Sequence, residues 1–413
     1  MEGKGMPFYD LEMSALWTNI LKGPIIQCLT NEDLKTLQSV CCDCLSTLPA
    51  EDFELIPPRQ QILYVTILLG LADDSNPNVR GAAIRCLGLF CVFPSLTQDP
   101  SFLNDVAVIL IKAVEDSNIS VRLKASWSLG NLSDALFLNR DQLGKEISPQ
   151  FFHSVGMACV KFLKDNDRVK ANAVRALGNF LNYIPKEFID LPMMQEFINE
   201  SCQVLKSALR ATFMKVCWNS CYAVRNMMKN VYLIEQGKID LEDLLNCLLK
   251  VLKSPNFKVR ISASQALTSL TSRALYGSLY AIIWQNFVSA LRSISADVNF
   301  KEVKHQENLR YQLCFSLCQL TVLITLEDVS LIAQSILESR EILLTSMWKF
   351  GSQSTEEKNV VVSTAVEKLI FLKKEDTSSD IESILTTLLD IFNQSIIAFY
   401  EKTDTDFVEK LNL

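Results

Sequence analysis

The feature that most constrains this chain is a sequence template that recurs along it. The clearest copies are VRGAAIRCLG (residues 79–88), VRLKASWSLGN (residues 121–131) and VKANAVRALGN (residues 169–179). Weaker copies begin at Val216, Val259 and Leu309, so successive copies start 42, 48, 47, 43 and 50 residues apart. A repeat of this length that carries two helical patterns is typical of α-solenoids, in which each unit is one pair of helices.

The composition agrees with a folded repeat protein and limits the partners it is expected to bind. Of 413 residues, 49% are hydrophobic and 21% are charged, which is ordinary for a folded chain. A net charge of −7 argues against a nucleic-acid-binding protein, which normally carries a basic excess. The apolar segments Val106–Val114 and Ile62–Leu71 are too short to span a bilayer, so no membrane partner is expected. The start of the chain lacks a signal-peptide pattern, so we expect a cytoplasmic protein, with the nucleus open as a second location.

The thirteen cysteines are expected to be reduced core residues. Most lie inside apolar helical patterns, as Cys217 and Cys221 do at helical spacing. The only histidines, His153 and His305, are far apart in sequence, so mixed zinc sites lack their histidine partners. We therefore predict no metal site, no cofactor and a reducing compartment.

Each repeat reads as an apolar helix A, a polar turn and a helix B. The turn at residues 116–118 (Asp-Ser-Asn) supplies capping side chains for helix B, and residues 73–76, 165–167 and 254–256 form parallel turns. No alternating run demands a sheet, so the prediction is an all-α chain of about eight helix pairs. We expect one continuous solenoid over residues 1–413, with the clearest repeats at 55–270 and irregular capping repeats at 1–54 and 271–413.

Acids in the turns and bases at the starts of the B helices recur together. These predicted structural ladder residues are Asp74 with Arg80, Asp116 with Arg122, and Asp165 with Lys170. Such pairs can bridge adjacent turns along the stack. Together with the Val-Arg-x-x-Ala-x-x-x-Leu-Gly strings, this ladder resembles the HEAT repeat family within the HEAT/armadillo superfamily. The resemblance implies a right-handed α-solenoid, or superhelix.

The segment Val121–Asp134 also resembles the C-terminal half of chains of the HEAT repeat-containing protein 6 family. For the whole chain this resemblance suggests a short form or a C-terminal portion of such a protein. It implies a helical scaffold and no settled activity.

A helical wheel at 100° per residue separates two faces of helix B. Val121, Ala125, Leu129 and Leu132 fall on one arc, which we predict to be buried, while Trp127, Asn131 and Lys124 lie opposite. The candidate protein- or peptide-binding residues at these opposite angles in three repeats are Lys124, Trp127, Asn131, Asn172, Arg175, Asn179, Asn219, Tyr222 and Asn226. In the two later repeats the same wheel angles hold a less similar set of residues, Ser262, Gln265, Ser269, Gln312, Phe315 and Gln319, to which we extend the register.

Two interpretations of the Asn positions remain open. An amide can both donate to and accept from an extended backbone, and Trp127 with Asn131 is similar to the Trp/Asn pair that grips peptides in armadillo importins. At 175 and 222 the aromatic position holds Arg and Tyr, and no dense acidic lining is evident. The alternative is that these amides are surface polar groups or bond one repeat to the next.

No catalytic arrangement is found in the sequence. Neither of the phosphate-binding motifs Gly-x-x-x-x-Gly-Lys-Ser/Thr and Gly-x-Gly-x-x-Gly occurs, and no candidate Ser/His/Asp triad is present. We therefore expect no enzyme. The leading hypothesis is a non-enzymatic scaffold or adaptor that binds a protein on its concave helix-B face. One alternative is an importin-like transport adaptor that recognises an extended peptide through the Asn residues. The other is a purely structural segment of a longer solenoid. The partner and the oligomeric state stay open.

Overall fold

Turn residues set where the B helices begin. The computed structural model describes residue 17 and residues 19–143, 147–294, 300–375 and 378–411, with the backbone alone at 300–302 and 403–411. Asn76, Asn118, Asn166 and Asn256 each accept a hydrogen bond from a backbone N–H two residues on. The predicted capping role of these turns is therefore confirmed. Several other long helices begin with proline, which lacks the N–H that a first turn would leave unpaired.

The chain divides into two compact units, residues 1–208 and residues 209–413. The long helices of the first unit are α1 Lys35–Leu45, α2 Pro58–Leu71, α3 Pro77–Phe90, α4 Pro100–Ala113, α5 Ile119–Leu138, α6 Pro149–Phe162, α7 Asp167–Tyr183 and α8 Pro192–Leu209, the last reaching the boundary. Shorter helical segments are Leu21–Ile25, Ile26–Leu29, Ala50–Glu54, Pro94–Thr97, Arg140–Leu143 and Lys186–Phe188.

The second unit has the same kind of architecture. Its long helices are α9 Met214–Met228, α10 Leu241–Val251, α11 Phe257–Leu267, α12 Leu279–Arg292, α13 Phe300–Leu323, α14 Leu326–Gln353, α15 Glu356–Lys374 and α16 Ser379–Leu411. Short segments lie at Val231–Glu235 and Arg273–Tyr276. The described residues contain no strand, so the chain is an all-α solenoid-type protein, as the periodicity predicted. The sequence pattern predicts a first helix over Ser14–Cys28, of which residues 14–16 and 18 lie outside the described residues.

Within each unit the helices form two layers. In the first unit, α1, α3, α5 and α7 pack side by side as one layer, which we call the helix-B layer, and α2, α4 and α6 cover it. In the second unit, α9, α11, α13 and α15 form the corresponding layer. The core lies between the layers: Val121, Ala125, Leu129 and Leu132 are fully buried, which confirms the predicted arc.

Small residues allow the B helices to approach closely at particular points. A Cβ added at Gly88 would lie 2.7 Å from the Cα of Ser128 on α5, closer than real side chains come to a backbone atom. The close approach of α3 and α5 therefore requires a residue without a Cβ at Gly88. Gly130 meets no such requirement, because an added Cβ would meet Arg175 only at 3.7 Å, an ordinary contact.

One apolar segment was missed by the sequence analysis. Residues Ser379–Lys402, most of α16, are long and apolar enough by length and composition to cross a membrane. In this structure the segment packs on α14 and α15, and Leu385, Leu388 and Phe392 on it are buried. A buried core helix in a protein that crosses no membrane can meet the same criteria of length and composition.

Candidate protein interface on the helix-B layer

Arginines at the starts of the B helices link each repeat to the next. Arg80 donates from Nε and Nη2 to the carboxylate of Asp116, at 2.9 and 3.0 Å. Arg122 donates in the same way to Asp165, at 2.6 and 3.3 Å. Each guanidinium also donates from Nη1 to carbonyls of its own turn, as Arg122 does to Asp116 at 2.8 Å. One side chain therefore fixes its own turn and the turn that follows.

The electrostatics of these pairs favour the charged forms. The hydrogen bond from Arg122 is the main reason that the pKa of Asp165 is lowered and, reciprocally, that of Arg122 is raised. At Asp116, burial alone would raise the pKa, but the hydrogen bonds from Arg80 and from a backbone N–H outweigh it and lower the pKa. The pairs are largely shielded from water, so screening weakens them less than it would exposed pairs.

The ends of this ladder differ from the sequence expectation. Asp74 pairs with Lys35 of α1 at 2.6 Å, a partner that the repeat alignment did not include. Lys170 was expected to pair with Asp165, but its ammonium lies 3.6 Å from Asp167 within the same helix. The reason is that the guanidinium fork of Arg122 already occupies both carboxylate oxygens of Asp165.

The candidate binding residues at the outer wheel angles follow one another along the B helices as a strip, and the asparagines of this strip bond to neighbouring helices. Asn131 is only 7% exposed and donates to the carbonyl of Gly88 on α3, at 3.1 Å. Asn179 is 5% exposed and donates to Ser133 and Asp134 on α5, at 3.0 and 2.6 Å. Asn172, half-buried, reaches Ser126 more weakly, at 3.5 Å.

The expectation that these amides face away from the packed interior is therefore wrong for Asn131 and Asn179. A wheel with a single buried arc assumes one packing partner. A B helix packs on its own A helix and also on the B helices before and after it, so short amides at its edge become buried.

Longer side chains of the strip form the accessible surface of α3, α5 and α7. The guanidinium of Arg85, which is exposed, lies over the ring of the half-buried Trp127, 5.2 Å from its centroid. Lys124 lies along α3, where a Cβ added at Gly81 would be 3.1 Å from its Cδ. Arg175 forms an ion pair with Asp134 and also donates to Asn131 at 3.4 Å.

Asp134 is the residue that sequence reasoning missed in this unit, since it binds both Arg175 and Asn179. The sequence feature that could have indicated Asp134 is its position one turn after Gly130, on the same edge of the helix as Asn131. A carboxylate at that edge can contact the next repeat.

The strip continues in the second unit with different chemistry. Asn219 is half-buried, Asn226 is buried, and Tyr222 is 43% exposed. Farther along, glutamines and a threonine link successive B helices: Gln265 donates to Gln312 at 3.0 Å, and Thr268 donates to Gln319 at 2.9 Å. The wheel extended the register to Gln265, Gln312 and Gln319, but not to Thr268.

A buried ion pair in the second unit was not predicted. Asp328 is fully buried, caps α14 through reciprocal bonds with Thr325, and receives a bidentate contact from Arg273 at 2.7 and 2.5 Å. Arg273 also lies 4.5 Å from the ring centroid of Tyr280. The available signal was the Thr-x-x-Asp spacing at 325–328, which is typical of a capping box.

Cysteine chemistry adds no site. All thirteen cysteines are free thiols, and most are buried. Burial raises the pKa of Cys41 to about 11 and that of Cys314 to about 12, so these thiols are poor nucleophiles. Among the described residues no group of three or more His, Cys, Asp or Glu side chains is placed to hold a metal ion.

Comparison with known proteins agrees with this architecture. A sequence model of the HEAT repeat matches residues 65–93. An uncharacterized protein of Dictyostelium discoideum is 24% identical over 79% of this chain, and the chain spans only 29% of that relative's length. The fold and the matched residues show an all-α solenoid-type protein with a HEAT repeat at residues 65–93.

Solved structures of designed proteins are also similar. A designed armadillo repeat protein in complex with the peptide (KR)4 is 17% identical, with a TM-score of 0.44 over 60% of this chain and 98% of its own. An engineered protein aligns over 91% of this chain and 98% of its own, with 17% identity and a TM-score of 0.39.

Proposed function

We propose that this chain is a non-enzymatic scaffold that binds a partner protein on its helix-B layer. The observation that carries the proposal is the accessible aromatic and cationic surface on α3 and α5, where Arg85 stacks on Trp127. Tryptophan and arginine are the residue types most enriched at interface hot spots. The ladder and the buried amides hold the repeats in register beneath this surface, as a scaffold requires.

The importin-like alternative is less well supported by the bonds of the Asn residues. Asn131 donates to Gly88 and accepts from Arg175, so an extended peptide would have to displace both bonds to reach its amide. We therefore favour a role for Asn131 and Asn179 in joining repeats. Kinship with HEAT repeat-containing protein 6, and one continuous solenoid over residues 1–413, stay predictions.

The test is crosslinking mass spectrometry in cells on the wild type and on two matched pairs of variants. Trp127→Ala and Arg85→Ala remove the proposed hot spot. Phe137→Ala and Arg140→Ala remove a similar cation–π pair, 4.8 Å from guanidinium to ring centroid, at the end of α5. We expect a defined partner to be lost with the first pair and kept with the second.

Equal retention in both pairs would contradict the proposal. A third variant, Asn131→Ala with Asn179→Ala and Asn226→Ala, separates the alternative, after circular dichroism has verified that it folds. Loss of a peptide ligand in this variant alone would favour the importin-like function, and unchanged affinity would refute it.

A structural role in a longer solenoid is the second candidate, and one observation favours it. On α16, Ile397 and Tyr400 are about half exposed, although outer faces of terminal repeats are normally polar. If another helix covers this face, Ile397→Ser with Tyr400→Ser should raise the solubility of this chain. Unchanged solubility would count against this role.

A further inference from the structure

A cleft of about 600 Å³ opens on the helix-B layer of the second unit. Its walls come from four successive B helices, α9, α11, α13 and α15. It is thus an elongated feature that crosses the layer, unlike a pocket enclosed within one repeat.

Cations stand at both ends of this cleft and no acid lines it. Arg225 lies on α9, Lys229 directly follows the last residue of that helix, and Lys358 lies on α15. None of the residues that line the cleft is Asp or Glu, although the chain as a whole carries a net charge of −7. A cleft lined by one sign of charge concentrates counter-ions and charged ligands of the opposite sign.

In the part of the chain that the structure describes, these cations have no ionic partner. Among the described residues neither Arg225 nor Lys229 forms an ion pair, and the buried Nε of Arg225 has no hydrogen-bond acceptor. Partial burial and the neighbouring Arg225 charge lower the pKa of Lys229, as expected for two uncompensated cations. The ammonium of Lys358 lies 4.3 Å from the ring centroid of Tyr311 and 5.2 Å from that of Phe315, and it donates to the neutral hydroxyl of Tyr311 at 3.3 Å.

The middle of the cleft offers neutral hydrogen-bonding groups. Gln265 and Gln312 bond to each other through one donor and one acceptor, which leaves the carbonyl oxygen of Gln265 available. Gln319 accepts from Thr268, which leaves its amide N–H groups available. Such groups can donate to and accept from a peptide backbone without a preference for its side chains.

From this arrangement we propose that the cleft binds an extended, acidic peptide segment of a partner protein. Its anionic side chains would pair with Arg225 and Lys229 at one end and with Lys358 at the other, and its backbone would cross the glutamines. The inference rests on the proposed function of the helix-B layer as an interface and specifies one ligand class for it. A single small anion would not reach cations that lie on α9 and α15, whereas a peptide does.

The length of the ligand follows from the helix spacing. Neighbouring helices pack about 8–10 Å apart, so the span from α9 to α15 is roughly 24–30 Å. An extended chain advances about 3.3 Å per residue, which gives a segment of about seven to nine residues.

The test is fluorescence anisotropy on the full chain with synthetic, labelled peptides of about nine residues. The first probe has two glutamates at each end and Gly-Ser between them. The second has phosphoserine in place of the outer glutamates. The third has lysine in place of every glutamate of the first. The variants are Lys229→Glu and Lys358→Glu. The control is Lys215→Glu, the same charge change at an exposed position of α9 outside the cleft.

We expect an acidic probe to bind, roughly tenfold weaker binding to either cleft variant, and no change with the control. Tighter binding of the phosphoserine probe would assign the anion to phosphate, and equal or tighter binding of the glutamate probe would assign it to carboxylate. Both results support the proposal. Failure of both acidic probes to bind, equal binding of the lysine probe, or equal loss in the control would overturn it. Competition by inorganic phosphate alone at similar concentration would also overturn it, because a small-anion site would then explain the binding.

The proposed function is judged separately by the crosslinks at Trp127 and Arg85. A partner on the first unit with no peptide binding in the second refutes this inference and leaves the scaffold function standing.

Discussion

Breaking the ion pair between Arg122 and Asp165 should destabilise the first unit far more than breaking an exposed pair. The two side chains are 21% and 16% exposed, and two hydrogen bonds join them. A hydrogen bond to a charged group contributes about 1.5–3 kcal/mol to stability when it is shielded. We therefore expect a coupling free energy of about 2–3 kcal/mol between these two residues.

The matched control joins the same neighbouring repeats at the surface. Lys161 and Glu115 lie 3.0 Å apart, but their side chains are 57% and 73% exposed. Exposed pairs of this kind typically contribute about 0.2–1 kcal/mol, because water and salt screen them and both side chains lose entropy.

Double-mutant cycles measure both couplings. Arg122→Ala also removes the bonds to the carbonyls of its own turn, but that loss occurs with or without Asp165 and cancels in the cycle. Urea unfolding followed by circular dichroism gives the four free energies of unfolding. Hydrogen exchange in the first turn of α7 supplies the local free energies if unfolding is not two-state. A ladder coupling no larger than the Lys161–Glu115 coupling would refute the reasoning.

Three further predictions concern close packing and pH. Gly88→Ala should lower the free energy of unfolding by about 1–3 kcal/mol, because the new Cβ would collide with the backbone of Ser128, and urea unfolding measures this. Gly351→Ala should loosen α16, since its Cβ would collide with the backbone carbonyl of Ser395, and hydrogen exchange in α16 should rise. Because Arg122 lowers the pKa of Asp165, the stability that this pair gives is complete above the ordinary pKa of 3.8 and is lost as pH falls through the lowered value. Asp165→Asn should therefore lose less stability than the wild type on acidification from about pH 4 to pH 2, as unfolding curves at each pH would show.

Controls exist for the glycine predictions. Gly130→Ala makes only ordinary contacts and Gly70→Ala meets nothing within 4 Å, although both lie inside helices. Alanine favours a helix by about 0.5–1 kcal/mol over glycine, so both variants should be neutral or stabilising. Destabilisation of the Gly70 variant equal to that of the Gly88 variant would show that close approach is not the cause.

Local chemistry made the helices and their boundaries predictable. Asn118 caps α5 because its side chain accepts a backbone N–H, and this depends only on neighbours in sequence. The buried arc of α5 was predictable for a similar reason, since periodicity alone places Val121 and Leu129 on one side. The early start of α13 at Phe300, ahead of the template copy that begins at Leu309, was missed because its first turns carry mostly polar residues.

Partners across repeats were harder to predict because they depend on the offset between copies. The sequence analysis expected acids and bases to bridge adjacent turns, but it matched each acid with the base of its own repeat. In the structure Arg80 donates to Asp116 of the following repeat, and Asp74 pairs with Lys35 of the preceding one. The acid in each turn therefore serves the preceding repeat, a relation that no spacing within one repeat encodes.

The cleft of the second unit could also be predicted only in part from the sequence. The wheel extended its register to Gln265 and Gln319, and both line the cleft, because identical angles on successive B helices face the same side. Arg225 and Lys358 were missed, since the first lies off the chosen angles and the second follows the last recognisable copy of the template. Repeat periodicity can thus locate a surface shared by several helices. The charges that decide what binds there lie where the repeats differ, so they emerge only when the helices are packed together.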